Sequence, residues 1–259
     1  MKQKINKLTV IITCLLMVIC VIFCEGKQAE RDYSNVVVDE PLMFDPAKAS
    51  LNGISLGMTA EEIMNSGIFS EGSLSHHKKG DYKSYDDDGN VVWEAPEKLF
   101  YDDTSFTDVN LCGKNADMEF MFEDGKLCYM NLSAMTNYLE EQIPYAELEA
   151  EQTKFVDGVE SEFYRILGEP NMIEDAEWHE NGVSWRYYIK DGKVLEGKIK
   201  SDLSYEQYEK LDFDYTLWMV LSKQDVADLE SFINGEDPYI CSAFIAMYTK
   251  EHILNNTPR

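Results

Sequence analysis

The stretch with the most recognisable chemistry is a run of three aspartates and a glycine, Asp86-Asp87-Asp88-Gly89. Oxygen ligands at alternate positions, with glycine at the sixth, are typical of a calcium-binding loop. Aligned on that glycine, Ser84 is first and Ala95 last, so the closing glutamate is missing and Glu94 comes one position early. A β-hairpin turn explains the same residues. We therefore favour the hairpin and predict no metal site.

Histidines are the next residues that could bind a metal or act as general bases. They occur at His76, His77, His179 and His252, and no His-Glu-x-x-His or Cys-x-x-Cys motif accompanies them. The two adjacent histidines would point to opposite sides of an extended segment, and the lysines that follow them disfavour a bound cation. We predict all four histidines to be solvated loop side chains.

Cysteines offer little support for a scaffold or a nucleophile. Beyond the first 24 residues only Cys112, Cys128 and Cys241 remain, and an odd number cannot all pair within one chain. A Cys112–Cys128 disulfide and free buried thiols are both open interpretations. No nucleophile motif or phosphate-binding loop occurs, and the carboxylates sit on surface-patterned positions. We predict no catalytic residue and no cofactor.

Three Asp-Gly pairs between runs of aromatic and β-branched residues predict β-hairpins. A further strand over 211–221 is apolar at every odd-numbered position, which predicts one buried face. The predicted cross-strand pairs are Lys83–Glu94 and Tyr85–Val92 around Asp88-Gly89, and Phe122–Leu127 and Glu123–Lys126 around Asp124-Gly125; the third turn is Asp191-Gly192.

Helices are predicted between and after these hairpins. Thr59 and Glu62 form a capping box that starts a short helix ending near Gly67, and apolar spacing predicts a helix over 156–167 that Gly168-Glu169-Pro170 stops. Two more helices are predicted, from Ser222 to Gly235 and from Ile240 to Tyr248. Because helices alternate with antiparallel hairpins and no βαβ fingerprint occurs, the predicted fold class is α+β.

The N-terminus predicts export. Three lysines precede the apolar run Leu8–Phe23, and Cys24 follows it. Val21-Ile22-Phe23-Cys24 resembles a bacterial lipobox, which implies lipid attachment at Cys24, although Phe23 stands where that motif has a small residue. An uncleaved anchor with the lysines inside, or release after Gly26, are the alternatives. We expect an extracytoplasmic protein anchored to a bacterial cell membrane.

The charge of the chain excludes one large class of partner. The leader holds three of the 23 basic residues and none of the 48 acidic ones, so the rest has a formal net charge of −28. Such an acidic domain is repelled by nucleic acids and by anionic headgroups.

We divide the chain into a signal peptide or membrane anchor (1–24), a tether leading into the fold (25–50), a first α+β lobe (51–135), a second α+β lobe (136–222) and C-terminal helices packed on the second lobe (223–259).

Two segments carry a weak internal repeat, 118–132 and 184–199, each an aromatic strand, Asp-Gly-Lys and an aliphatic strand. With Leu56-Gly57-Met58-Thr59 before a helix and Leu167-Gly168-Glu169-Pro170 ending one, the chain resembles the β-lactamase-inhibitor-protein-like group, which includes small outer-membrane assembly lipoproteins. The resemblance covers about a quarter of the mature chain. It implies two tandem lobes, each with helices on one face of an antiparallel sheet, and an exposed sheet face that binds another protein.

The predicted function is therefore non-catalytic binding of another envelope or extracellular protein through a sheet face. Aromatic residues with polar tips are favoured at recognition surfaces, and we predict Trp218 and Tyr188 as interface residues. Trp218 lies on the face of its strand opposite the apolar row. Two alternatives are an enzyme that acts on envelope polymers through unrecognised carboxylates, and a ligand or calcium sensor.

Overall fold

Antiparallel β-structure dominates the architecture. The computed structural model describes residues 33, 35–38, 40–70, 73–86, 88–101, 109–136, 145–176, 182–222 and 240–258. The strands are β1 (Phe44–Asp45), β2 (Ser50–Leu51), β3 (Ile54–Ser55), β4 (Leu74–His77), β5 (Lys83–Tyr85), β6 (Val91–Glu94), β7 (Glu97–Tyr101), β8 (Asn110–Leu111), β9 (Lys114–Asn115), β10 (Asp117–Glu123), β11 (Lys126–Thr136), β12 (Met172–Ala176), β13 (Gly182–Lys190), β14 (Lys193–Val194), β15 (Tyr215–Ser222) and β16 (Ile240–Thr249). The helices are α1 (Ala60–Met64), α2 (Tyr145–Leu167), α3 (Tyr205–Lys210) and α4 (Lys250–Asn256).

The main sheet has the strand order β12-β13-β15-β16-β11-β10-β7-β4, with β14 paired to β13. Its neighbouring strands are antiparallel throughout. The order consists of two four-strand meanders, β4-β7-β10-β11 and β12-β13-β15-β16, whose last strands pair with each other. The predicted α+β class is confirmed. Strands of both predicted lobes belong to one sheet, and the lobe boundaries stay predictions.

One hydrophobic core covers one face of this sheet from end to end. Phe120 of β10, Leu217 of β15 and Phe163 of α2 have no exposed surface and belong to it. The predicted buried row on β15 is confirmed, because its odd-numbered residues are at most 4% exposed. The predicted stop of α2 is also confirmed: Gly168 has a left-handed φ of 72°, and its N–H donates to Tyr164 O at 2.8 Å.

A second, smaller core lies on the opposite face of the sheet near β13. Tyr188, Tyr208 and Phe213 form it, and partly buried apolar side chains of α4 pack against it. The helices α3 and α4 also contact each other. Helix α3 was not predicted, although Gln207 Oε1 accepts a hydrogen bond from Ser204 N at 2.8 Å as in a capping box. This end of the second sheet face is therefore covered by helices.

The turn predictions hold to within one residue. The pairs Lys83–Glu94, Phe122–Leu127 and Glu123–Lys126 are confirmed, and β13 and β14 flank the third turn. Tyr85 pairs with Val91 rather than with Val92, because the register shifts after Ser84. A bulge of this kind adds one residue to one strand and leaves the hairpin otherwise intact.

The predicted C-terminal helix over 240–248 is wrong, since these residues form β16. Their apolar residues fit helical spacing, but Ala243, Ile245 and Met247 alternate onto the core face. On the other face of β16, Ala246 is buried and Phe244 and Tyr248 are half-buried, so both faces carry apolar residues and their spacing does not separate a strand from a helix. Helix α4 starts only after Thr249. The leader with Cys24 and the helix predicted after Ser222 lie outside the described residues.

The capping box at Thr59 is confirmed and supports a first prediction. Thr59 Oγ1 accepts from Glu62 N at 3.2 Å, and Thr59 N donates to Glu62 Oε2 at 2.7 Å. Thr59→Ala removes the hydroxyl acceptor and should lower the free energy of unfolding by about 1 kcal/mol. Denaturant unfolding measures this, with Thr59→Ser as the control that keeps the cap. Equal stability of the two variants would contradict the assignment.

Candidate protein-binding surface

Trp218 lies on the face of β15 opposite the core row, and it is half-buried. Its indole Nε1 donates to Ser184 Oγ at 2.6 Å, the guanidinium carbon of Arg186 is 5.3 Å from the ring centroid, and the Phe244 ring meets it edge-on at 5.7 Å. Its neighbours across β13 and β16 thus fix the position of the indole. The side chain contributes to the surface of the sheet, but part of it is already engaged.

The prediction of Tyr188 as a second interface residue is wrong, because its side chain is buried. It has no exposed area, and its ring packs edge-on against Phe213 with centroids 5.3 Å apart. Burial raises the pKa of its phenol to about 12. Successive strand residues point to opposite faces, so Tyr187 enters the main core and Tyr188 enters the smaller core under α3 and α4. Tyr188 therefore cannot anchor a partner.

Most of the exposed large apolar residues lie instead on the hairpin formed by β5 and β6. Of the eight large hydrophobic residues that are exposed in the described chain, five lie between 82 and 94. We call these five the hairpin surface. They are Tyr82 (57% exposed), Tyr85 (59%), Val91 (45%), Val92 (62%) and Trp93 (53%).

The hairpin formed by β5 and β6 is held by local polar contacts. Lys83 Nζ and Glu94 Oε1 are 2.7 Å apart. In the turn, Asn90 Nδ2 donates to Asp86 Oδ2 at 3.0 Å and Asn90 N donates to Asp86 Oδ1 at 2.8 Å, and these bonds lower the pKa of the Asp86 carboxyl. The hairpin interpretation of this acidic run is confirmed. Its apolar side chains belong to neither core and are exposed.

An open cavity of about 590 Å³ lies beside the hairpin. Tyr82 and Trp93 line it from the hairpin, Lys98 and Met121 from β7 and β10, and His252 from α4. It therefore joins the hairpin surface to the second face of the main sheet. A cavity of this size accepts a large side chain of a partner protein.

Two of the histidines lie in a strand and are half-buried, so their prediction as solvated loop residues is wrong. His76 and His77 lie in β4 and are half-buried. The imidazole of His76 is 2.8 Å from Glu97 Oε1. The ring of His77 lies 5.1 Å from Tyr82 and 4.4 Å from Phe100, which connects the base of the hairpin to the sheet.

His252 also differs from its prediction, while His179 lies outside the described residues. His252 is 8% exposed, at the start of α4. Its Nδ1 is 2.8 Å from Glu123 Oε1 and 3.4 Å from Cys128 Sγ. No sequence motif connects these three residues, because His252 is 124 positions from the cysteine.

The Cys128 thiol is not an activated nucleophile. Burial raises its pKa to about 12, and the Glu123 carboxylate nearby acts in the same direction. A nucleophile–base–acid relay also needs the cysteine and the acid on different imidazole nitrogens, whereas both approach Nδ1 here. Cys128 and Cys112 are both free thiols, so the open possibility of a disulfide between them is not realised.

Comparisons with known proteins add no name to this geometry. No family model, no curated protein and no solved structure matches the chain. Among the described residues, no helix has the length and apolar character that would let it cross a bilayer. The site must therefore be interpreted from its own residues.

Proposed function

We propose that this chain is a non-catalytic, membrane-anchored extracytoplasmic protein that binds another envelope or extracellular protein. The observation that carries the proposal is the hairpin surface, where five large apolar side chains are about half-exposed on two short strands and on the residue before them. Clusters of exposed apolar residues mark interaction sites, and five of the eight exposed large hydrophobic residues of the described chain belong to this hairpin. Aromatic residues next to a cavity are the usual anchors of a protein interface.

The binding surface differs from the one that sequence alone predicts. The proposed contact is the hairpin surface together with the adjoining second face of β7 and β10, where the cavity lies. Trp218 remains a candidate contact at the centre of the sheet, and Tyr188 is excluded by its burial. Complete burial of Val92 and Trp93 by a partner contributes ~1–2 kcal/mol each, since part of each side chain is already covered.

We also propose the tandem organisation that the resemblance implies. Two four-strand meanders joined through β11 and β16 support it, as does a long helix before the second meander. The hairpin β5–β6 is then an insertion between the first two strands of the first meander. Lipid attachment at Cys24 remains part of the proposal, and the surplus of acidic residues supports a protein partner over an anionic polymer.

The test is crosslinking in intact host cells, with the anchored full-length protein as bait and mass spectrometry of what is captured. We expect the double variant Val92→Ser/Trp93→Ser to lose more than about tenfold of its specific partner, because interface anchors are typically worth ≥ about 2 kcal/mol. The thermal midpoint should not change, since neither side chain belongs to a core.

Met43→Ser is the matched control. Met43 is 68% exposed but lies outside the hairpin, just before β1, so its replacement should leave capture unchanged. A partner that depends on the hairpin variant and not on the control supports the proposal. Equal capture by all three proteins, or no specific partner with any of them, would overturn it.

A further inference from the structure

A cluster of three metal-ligating side chains lies where the second hairpin meets the C-terminal helix. Glu123 ends β10, Cys128 lies in β11 just after the turn, and His252 is in the first turn of α4. Their ligand atoms all lie within 4.8 Å of one another, and Cys128 and His252 are 5% and 8% exposed. We propose that these three residues bind a zinc-class divalent cation, a function beyond the proposed protein binding, at a site that borders the same 590 Å³ cavity.

The distances between the donor atoms are close to those of a zinc coordination shell. Tetrahedral bonds of ~2.3 Å to sulfur and ~2.05 Å to nitrogen or oxygen place sulfur and nitrogen about 3.6 Å apart and nitrogen and oxygen about 3.3 Å apart. Cys128 Sγ is 3.4 Å from His252 Nδ1, and Glu123 Oε1 is 2.8 Å from it. An ion at the centre therefore requires the more exposed Glu123 to move about half an ångström away from Nδ1, while the sulfur and the carboxylate already lie within 4.8 Å of each other.

The carboxylate of Glu123 and the sulfur of Cys128 both approach the same ring nitrogen, His252 Nδ1. A ring nitrogen carries either one proton or one lone pair. Glu123 Oε1 lies 2.8 Å from Nδ1, while the Asn256 amide, 3.5 Å from Nδ1, donates to His252 O at 2.8 Å. The Cys128 thiol donates to Met121 O at 3.2 Å and leaves its sulfur lone pairs toward the ring. Once Nδ1 and the thiol have lost their protons, the three side chains present lone pairs to one point, as a bound cation requires.

The ligand types select the ion. A thiolate, an imidazole and a carboxylate are the ligands of zinc, whereas calcium prefers oxygen ligands alone. Asn255 Nδ2 donates to Glu123 Oε2 at 2.9 Å, the kind of outer contact that orients a carboxylate ligand. On binding, the ion replaces the thiol proton of Cys128 and the Nδ1 proton of His252, and both protons pass to solvent.

Three protein ligands leave a fourth position for water or a partner group. The 590 Å³ cavity reaches Glu123 and His252, and a second cavity of about 340 Å³ reaches Glu123 and Cys128. An ion here would also tie the start of α4 to the β10–β11 hairpin. Its binding should therefore stabilise the folded chain.

The experiment uses the full chain in detergent, stripped with a chelator and titrated with zinc. We expect binding of zinc that raises the thermal midpoint by about 5–10 °C at 100 times the dissociation constant, since binding stabilises only the native state. Calcium at the same concentration should have a much smaller effect. Cobalt(II) in place of zinc should show a near-ultraviolet thiolate-to-metal absorption band.

Cys128→Ser should weaken zinc binding by more than about 100-fold and remove the cobalt band, because even outer contacts of metal ligands are worth about 10–100-fold. Cys112→Ser is the matched control, as it removes the other described free thiol outside the cluster. Glu123→Gln gives a second test at a partly exposed ligand, in case the cysteine variant does not fold. The proposal is overturned if zinc shifts nothing, or if binding survives Cys128→Ser and Glu123→Gln as fully as it survives Cys112→Ser.

Discussion

Asn171→Asp should lower the free energy of unfolding by about 3–5 kcal/mol. Asn171 is 2% exposed and connects the segment after β14 to β13. Its Nδ2 donates to Leu195 O at 2.7 Å and to Gly197 O at 2.9 Å, while its Oδ1 accepts from Tyr188 N at 2.7 Å. An aspartate keeps the acceptor but replaces the donor with a buried negative charge that faces two carbonyl oxygens.

Denaturant unfolding across pH separates this mechanism from a general loss of packing. The introduced carboxyl should have a raised pKa in the folded state, because burial and the two facing carbonyl oxygens disfavour its charged form. The cost of Asn171→Asp should therefore be smallest at acid pH, where the group is protonated in both states, and should grow as pH rises above ~4. Asn65→Asp, at the exposed end of α1, should stay within about 0.5 kcal/mol of wild type. Equal costs for the two variants would contradict the role of Asn171.

Features set by short-range chemistry were predictable from the sequence. The three Asp-Gly turns, the capping box at Thr59 and the stop at Gly168 depend on residues that are at most a few positions apart. The backbone shows the reason directly at two of the turns. Asp124 and Asp191 both have a left-handed φ, of 48° and 49°, which aspartate followed by glycine tolerates.

Features that depend on a strand being covered on both faces of the sheet were not predictable from nearby residues. The run from Ile240 to Thr249 fits a helix and a strand equally by spacing, and only its place between β11 and β15 decides for the strand. The burial of Tyr188 was not predicted for the same reason. Nothing in its own strand indicates that α3 and α4 cover it. Pattern alone assigns a face to each residue, but it does not say what lies against that face.

The two candidate sites differ in how far sequence could have led to them. Val91, Val92 and Trp93 are three consecutive apolar residues next to a tight turn, where one-sided burial would require alternation. That run is a usable signal for an exposed patch. The cluster of Glu123, Cys128 and His252 carries no such signal, since it is assembled by the pairing of β11 with β16 and the turn into α4.

Gly192→Ala should destabilise the protein by about 2–4 kcal/mol, and Gly125→Ala by only about 1–2 kcal/mol. Both glycines follow aspartate in equivalent turns and have nearly the same φ, 73° and 72°, so alanine pays the same left-handed penalty at each. The two positions differ in the room that is available for the added Cβ atom. A Cβ at Gly192 would lie 2.8 Å from Ala47 Cα and 3.0 Å from Ala47 N, whereas nothing lies within 4 Å at Gly125.

The difference between the two variants measures the packing of the segment before β2 against the third hairpin. Backbone atoms of Ala47 cannot give way as a flexible side chain would, and Tyr215 donates a hydrogen bond from its hydroxyl to Pro46 O at 2.8 Å beside it. Relief of the clash would have to break that contact. We compare the free energies of unfolding of the two variants. The left-handed penalty is the same in both, so it cancels from the difference. Equal destabilisation would mean that this segment does not pack on the hairpin in solution.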